Sequence, residues 1–354
     1  MSRTLLALVS LPAVSGREDF VVRRVEQWAG RRAGVEIRKD RVGNLVLEAG
    51  PCDWYVTAHL DHPGFVVTGR TGRTVDVEFR GGVLPAYFVN APLEFFDAGM
   101  QPHRATLKDY DPKSQQGTAV LERRANGLMI GRFRLDPRTL GVFGDRLRAH
   151  ACDDLAGVAA ALDVFDKVRA RHRNVGVLLT RAEEVGFLGA IGACKVGTIS
   201  RKAHLVCLEA SRHNRDAPLG GGPIVRVGDA ASVFDPSLTN QAVRAARSLK
   251  DLAWQRKLMV GGSCEATAFG AYGYRSTCLC LPLDNYHNMG DLDAVEAGRG
   301  RARVAAETIS IADYRGLVRL TAVLVAGATK DPSLRSRLDE LYRAENRVLV
   351  EPLA

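Results

Sequence analysis

Residues 175–186 read VGVLLTRAEEVG, and this stretch indicates the fold. A short apolar run, 175–179, is typical of a buried strand, and two adjacent carboxylates, Glu183 and Glu184, follow it. Adjacent carboxylates repel each other, so a fold that places them beside a buried strand usually supplies a cation or a proton. Open α/β sheets carry their active sites at the carboxyl ends of strands. The stretch therefore predicts an α/β sheet with an acidic site at its edge, although a solvated turn with two surface acids would give the same letters.

The composition is that of a globular protein with room for one large domain or two ordinary ones in 354 residues. Lys and Arg outnumber Asp and Glu by 49 to 40, which permits nucleic-acid binding, but they do not form a stripe with interleaved aromatics. A nucleic-acid partner is therefore disfavoured. No apolar run approaches the length of a membrane span. The scattered cysteines favour buried thiols, and the N-terminus is a poor signal peptide, so a cytoplasmic location is expected.

Other acids and imidazoles follow apolar runs in the same way. His59 is the second-last residue of the predicted strand 53–60, and Asp61, two positions on, shares its face on an extended chain. An Asp so placed can hold the second ring nitrogen of a metal-binding His. Asp153 and Asp154 precede a helix with a clear apolar stripe, and the default interpretation of Asp154 is an N-cap. Glu209 directly follows the predicted strand 203–208.

These groups are far apart in the chain, but the ends of parallel strands would meet at one edge of a sheet. The candidate groups are His59, Asp153, Glu183, Glu184, Glu209 and His287. Two imidazoles and several carboxylates suit two divalent ions that share one carboxylate and lie about 3.5–4 Å apart. One carboxylate must stay free to take a proton from the attacking water. The paired glutamates allow that division of roles.

The chain is predicted to consist of a discontinuous domain with an insertion. Residues 67–148 contain short alternating runs separated by Gly, Pro and Asp, which predicts a small all-β domain inserted between 1–66 and 149–330. Ser15 and Glu18 fit a capping box that would start a helix over 17–29. The tail, 331–354, is either a docking helix or a mobile end. The other histidines near candidate segments are predicted to be polar surface groups: His62, His150 and His213.

Several motifs together resemble the tetrahedral, glutamyl-aminopeptidase-like dinuclear metallopeptidases, the group that includes the deblocking aminopeptidases. The similarity runs from residue 5 to about residue 330 and is most specific in the Asp-Asp and Glu-Glu segments. The segments that carry it include LPAVSGRED (11–19), AHLDHPGFVV (58–67), ACDDLAGVAA (151–160), LLTRAEEVGFLGA (178–190) and GGSCEATAFGAYG (261–273).

The resemblance implies a mixed β-sheet sandwiched by helices, of the zinc-peptidase and phosphorylase/hydrolase-like type, with an inserted small β-domain. It also implies two divalent ions per subunit, most often Zn, with Co or Mn as alternatives, and homo-oligomers that are often twelve-subunit tetrahedra. The roles that it implies are metal ligand for His59, support of that ligand for Asp61, bridging ligand for Asp153, general base for Glu183, ligand of one ion each for Glu184 and Glu209, and completion of the second site for His287. This chain departs from the family at Glu209, where Asp is usual, and at Leu155, where Arg is usual.

The function predicted on this basis is removal of N-terminal residues from peptides by a water that bridges two metal ions, with Glu183 as general base. A second hypothesis is a dinuclear zinc amidohydrolase or deacylase that acts on N-acyl amino acids or small amides, motivated by the unusual context DNYHNMGD around His287. A third, from another class, is a non-catalytic basic protein associated with nucleic acid.

Overall fold

The computed structural model describes residues 2–327 and 334–350. Its helices are α1 (Arg3–Leu8), α2 (Asp19–Ala29), α3 (Leu155–Val168), α4 (Leu188–Val196), α5 (Pro236–Ser248), α6 (Glu265–Ala271), α7 (Leu292–Glu296), α8 (Ile311–Val325) and α9 (Leu334–Glu345). Its strands are β1 (Glu36–Lys39), β2 (Leu45–Glu48), β3 (Trp54–His59), β4 (Gly64–Thr71), β5 (Thr74–Arg80), β6 (Pro92–Asp97), β7 (Pro102–Asp111), β8 (Gln116–Leu121), β9 (Leu128–Phe133), β10 (Gly141–Phe143), β11 (Arg146–Ala149), β12 (Val175–Thr180), β13 (His204–Arg212), β14 (Ile224–Gly228), β15 (Gln255–Leu258), β16 (Arg275–Leu283), β17 (Met289–Gly290), β18 (Arg303–Val304) and β19 (Glu307–Ser310).

The main sheet has eight strands in the order β1-β2-β12-β3-β13-β16-β14-β15. Its central strands β12, β3, β13 and β16 are parallel neighbours, whereas β1, β2 and β14 add antiparallel pairs. Side chains of α3, α5 and α8 pack on one face, and those of α4 and α6 pack on the other. The predicted mixed sheet between helices is confirmed.

The sequence explains why the centre of this sheet is fully buried. All six residues of β12 are buried, as expected for a parallel strand covered on both faces. Helix α3 is apolar on nearly all sides, so it lies in the interior between the sheet and α8 instead of on the surface. The acidic segments that follow or precede these elements are thereby carried to one edge of a rigid core.

Six short strands form a closed barrel in the order β4-β5-β8-β7-β6-β9. Its strands run from Gly64 to Phe133, and its interior is filled by a cluster of aromatic rings that includes Phe65, Phe79 and Phe133. Closure leaves no unpaired strand edge. Strands β10, β11 and β19 form a separate three-stranded sheet in that order, outside the barrel. The boundaries 67–148 stay a prediction, and the barrel occupies most of that range.

The predicted capping box is wrong. Helix α2 begins at Asp19, and Glu18 at its N-cap makes no side-chain capping bond. The Ser15 hydroxyl donates to Asp61 at 2.7 Å, and the Glu18 carboxylate accepts from the backbone of Gly16 at 2.7 Å. Both side chains are buried against distant loops, and these tertiary contacts override the local pattern.

The predicted tail is helical over Leu334–Glu345, and its apolar side chains Leu334, Leu338 and Leu341 are exposed. Residues 331–333 and 351–354 of that tail lie outside the described part of the chain. Among the described residues, the helices are all too short or too polar to cross a membrane.

Candidate metal centre

The central strands bring every predicted site residue to one edge of the main sheet. His59 is the last residue of β3, and Glu183 and Glu184 follow β12. Glu209 lies within β13, which continues to Arg212, so the strand is longer than the sequence indicated. The remaining two, Asp153 before α3 and His287 after β16, lie in the same cluster.

One group of potential ligands consists of His59, Asp153 and Glu209. The Nε2 atom of His59 lies 3.4 Å from Oδ1 of Asp153 and 3.5 Å from Oε1 of Glu209. All three side chains are buried. One imidazole and two carboxylates around a single point are a typical ligand set for a divalent transition metal.

A second group consists of Asp153, Glu184 and His287. Nε2 of His287 lies 3.7 Å from Oδ2 of Asp153 and 3.0 Å from Oε1 of Glu184. The two groups therefore share Asp153, whose Oδ1 faces His59 and whose Oδ2 faces His287. A further group joins Glu183 and Glu184 to His59, with Oε2 of Glu183 at 4.0 Å from the His59 ring nitrogen.

The unsatisfied atoms at this edge fit a pair of cations. Oδ1 of Asp153, Oε1 of Glu184 and Nε2 of His287 are buried without a hydrogen-bond partner in residues 2–327 and 334–350. Nδ1 of His287 lies 2.6 Å from the carbonyl of Gly82 and donates to it, so in the neutral imidazole Nε2 carries the lone pair that a metal would use. Nδ1 of His59 likewise lies 3.1 Å from the Asp61 carbonyl. Lone pairs that converge without a donor are suited to a bound metal.

The charges point to the same conclusion. Burial raises the pKa of Glu183 well above its ordinary value, and the nearby carboxylates Glu209 and Glu184 add to this shift. Burial likewise raises the pKa of Asp153 to about 7. Burial by itself would lower the pKa of His287, but the negative charges of Glu184 and Asp153 raise it to about 9. Without cations, protons relieve this repulsion, and divalent ions would take their place.

Asp61 supports the glutamate pair more directly than it supports His59. Its carboxylate accepts hydrogen bonds from the backbone nitrogens of Glu183 at 3.0 Å and Glu184 at 3.1 Å. The His59 ring nitrogen is closer to the Asp61 carbonyl, at 3.1 Å, than to its carboxylate, at 3.6 Å. The expected contact therefore exists through the backbone, and the side chain fixes the loop after β12.

Glu18 extends this support and was missed as a site residue. Its carboxylate accepts from the backbone of Ala182 at 3.1 Å and from the Arg181 guanidinium at 2.6 Å. Ala182 has a φ of 52°, an uncommon conformation for a residue with a side chain. The position of Glu18 within LPAVSGRED (11–19), the first segment that resembles the family, was the feature of the sequence that could have indicated this role.

Two of the three histidines predicted at the surface are instead buried, so that prediction is wrong for them. His62 is 4% exposed and His150 is 6% exposed. Nδ1 of His62 lies 2.6 Å from the backbone carbonyl of Asp153, because the loop after β3 packs directly on the loop before α3. His213 is half-buried and lines the cleft. Asp154 occupies the N-cap position of α3 without a capping bond, and it accepts from the backbone of His59 at 3.3 Å.

The acid–imidazole cluster opens into a cleft of about 830 Å³. The walls of the cleft consist of residues 82–84, which follow β5 of the barrel, and of residues 211–217 and 257–263. A further wall is the segment 289–296, which Arg212 holds through Asp293 and through Glu296 at 2.8 Å. The cleft is large enough for several residues of an extended peptide.

An α/β sheet with a barrel and an acid–imidazole cluster at the sheet edge that could hold metal ions is the arrangement expected of a metal-dependent hydrolase. The sequence model of the M42 glutamyl aminopeptidases matches residues 122–299, just over half of the chain. The chain belongs to this family and is therefore a hydrolase of peptide bonds.

Individual relatives are distant in sequence. A curated protein of Acetivibrio thermocellus, provisionally named an aminopeptidase, is 21% identical to this chain. The match covers 80% of this chain and 91% of that protein. The TET1 peptidase of Pyrococcus horikoshii, described as able to assemble into a tetrahedron or a large octahedral shell, is 18% identical with a TM-score of 0.73, covering 91% of this chain and 98% of its own. Aminopeptidase APDkam598 of Desulfurococcus kamchatkensis is 18% identical with a TM-score of 0.74, covering 94% and 98%. These structures establish the likeness of the fold.

Proposed function

We propose that the protein is an aminopeptidase that removes N-terminal residues from peptides with the help of two bound divalent ions. The observation that carries the proposal is the position of Asp153. It presents one carboxylate oxygen to His59 and the other to His287, and each imidazole belongs to a separate ligand group. A carboxylate shared in this way is typical of two-metal hydrolases.

His59, Asp153 and Glu209 would hold one ion, and Asp153, Glu184 and His287 would hold the other. Imidazole and carboxylate ligands suit zinc, with cobalt or manganese as alternatives. When bound, the ions supply Lewis acidity and lower the pKa of an attacking water.

Glu183 is the residue to which we assign proton transfer. It lines the cleft beside both ligand groups, and its backbone is fixed by Asp61. Burial raises the pKa of Glu183, and a carboxylate with a raised pKa is a better proton acceptor. A carboxylate oxygen of Glu183 takes a proton from the attacking water and delivers it to the leaving amine.

The substrate and the assembly follow the family. Peptides with a free N-terminus are the proposed substrates, and the acidic edge of the cleft favours their ammonium group. A homo-oligomer is proposed on the likeness to a protein that assembles into closed shells, with a dodecamer as the first arrangement to test. We also propose a cytoplasmic location, in keeping with seven free cysteines, and the division into a catalytic domain, 1–66 and 149–330, and an inserted domain, 67–148.

The test is metal content per chain measured with hydrolysis of aminoacyl-p-nitroanilides in the same sample, before and after chelation. We expect close to two ions per chain and activity that chelation removes and added metal restores. Two ions with hydrolysis of N-acyl amino acids and none of free-amine substrates would contradict the aminopeptidase assignment. Absence of bound metal would contradict the mechanism.

A further inference from the structure

Glu307 is a fully buried carboxylate at the start of β19. One of its oxygens accepts hydrogen bonds from the backbone nitrogens of Cys152 at 2.6 Å and Asp153 at 3.0 Å. The other accepts from the backbone nitrogen of His287 at 2.9 Å. A single side chain thus connects two loops that are distant in sequence.

The strand pairing explains how Glu307 comes between these loops. Glu307 is the register partner of Ala149, the last residue of β11, from which the chain runs directly to Asp153. Its neighbour Thr308 pairs with Asp284, from which the chain runs to His287. The ladder therefore ends where both loops begin, and the Glu307 side chain continues the connection up to the backbone of the two candidate ligands.

We propose that Glu307 is a positioning residue that sets the separation between Asp153 and His287 and thereby builds the second metal site. The inference rests on the proposed function, since that site is part of it. The His287 ring is fixed at Nδ1 by the carbonyl of Gly82, and its backbone is fixed by Glu307. Because the backbone and the Nδ1 atom of His287 are both held, its Nε2 atom faces Asp153 and Glu184.

The chemistry requires a carboxylate at this position. Three N–H groups donate to its two oxygens, whereas an amide of the same shape offers one oxygen that accepts and one NH2 group that only donates. In Glu307→Gln the NH2 group faces the backbone of one loop, and a buried N–H there loses its acceptor. That loop must move. Asp153 and His287 both belong to the second site, whereas the first site contains only Asp153, so the second ion should be affected more.

The experiment is a titration of the metal-free protein with Zn²⁺ in chelator-buffered solutions, repeated with Co²⁺ and followed by its visible absorption. For Glu307→Gln we expect the affinity for the second ion to fall about 10-fold to 100-fold, the usual effect of losing a partner that orients a ligand. The cobalt spectrum should then lack the contribution of the second site. Glu307→Asp keeps the charge, but its side chain is one methylene shorter and cannot reach both loops, so it should give the same result. This variant replaces Glu307→Gln if the latter does not fold.

Asp313→Asn is the matched control. Asp313 is also a buried carboxylate that accepts two backbone hydrogen bonds, from Gly220 at 2.8 Å and Gly222 at 2.9 Å, but it does not line the cleft. It should lower stability without changing metal affinity. Unchanged affinity for two ions in folded Glu307→Gln, or an equal loss in Asp313→Asn, would overturn the inference and leave the proposed function standing. A wild-type protein that binds fewer than two ions would overturn both.

Discussion

The carboxylate of Asp61 lies 3.0 Å from the backbone nitrogen of Glu183 and accepts its hydrogen bond. The second oxygen accepts from Glu184 in the same way, at 3.1 Å. The two glutamates carry different proposed roles, proton transfer and metal binding. Their common anchor is therefore a residue that belongs to none of the potential ligand groups but determines where both side chains begin.

Asp61→Asn should lower kcat while the metal content stays near its wild-type value. One of the two backbone nitrogens loses its acceptor, and a displacement of a catalytic group by about 1 Å costs on the order of 100-fold in rate. Steady-state kinetics and metal analysis on the same preparation measure this effect. Asp97→Asn is the control, because Asp97 also accepts two backbone hydrogen bonds but lies in the barrel. An equal loss of kcat in the control would contradict the positional argument.

Glu183→Gln should lower kcat by about 10²-fold to 10⁴-fold, because the amide cannot accept the proton of the attacking water. Both ions should remain bound, since neither proposed ligand set contains Glu183. Metal analysis decides between this role and the alternative arrangement in which Glu183 is a ligand with His59 and Glu184. If an ion is lost together with activity, Glu183 is a ligand and not the base.

The shared position of Asp153 predicts a specific pattern of metal loss. Asp153→Asn should weaken both ions, because each ligand group contains this carboxylate. Glu209→Gln should release only the first ion, and His287→Ala only the second. Metal stoichiometry at a fixed concentration of free Zn²⁺ distinguishes the three variants. The same stoichiometry in Glu209→Gln and Asp153→Asn would show that Asp153 does not bridge.

Glu265 predicts a pH dependence in the metal-free protein. It is buried, and its Oε1 has no hydrogen-bond partner in the described part of the chain. Burial raises the pKa of Glu265 from an ordinary 4.5 to about 7. The folded protein therefore retains a proton that the unfolded chain releases, so this contribution to stability is complete below pH 4.5 and is lost as the pH rises through 7.

Glu265→Gln removes this titration. As the pH rises from about 4.5 to about 8, the free energy of unfolding of the wild type should fall by about 3 kcal/mol relative to that of the variant. Urea unfolding of both metal-free proteins across this range provides the measurement, with the exposed Glu122→Gln as control. Parallel curves for the wild type and Glu265→Gln would refute the assignment of a buried acid that is neutral at low pH.

The fold and the members of the site follow from sequence because they depend on strand ends. Apolar runs reveal buried parallel strands, and the carboxyl ends of such strands must meet. For that reason the positions of His59, Glu183 and Glu209 in the chain are enough to place them together. The alternation of residues within 67–148 predicted strands, but it contains no information on whether their outer members pair, so the closed barrel could not be predicted.

Two supporting residues, Glu18 and Glu307, could not be found in this way, and neither could the contact of Asp61 with the glutamate pair. These side chains accept hydrogen bonds from backbone nitrogens, and such contacts leave no pattern of residue types in the sequence. Glu18 even fits a local pattern, the capping box, that the folded chain does not use. His62 was misjudged for a related reason, because its burial depends on the packing of one loop on another.

The connection made by Glu307 has a consequence for biosynthesis. The ligand groups begin at His59, but the side chain that joins Asp153 to His287 comes only at position 307. Chains are translated from the N-terminus at about 5–20 residues per second, so a ribosome-bound chain carries the first ligands for many seconds without a finished centre. A nascent chain should therefore be inert toward the peptides around it, and proteolytic activity should begin only after the segment that carries Glu307 has left the ribosome and folded.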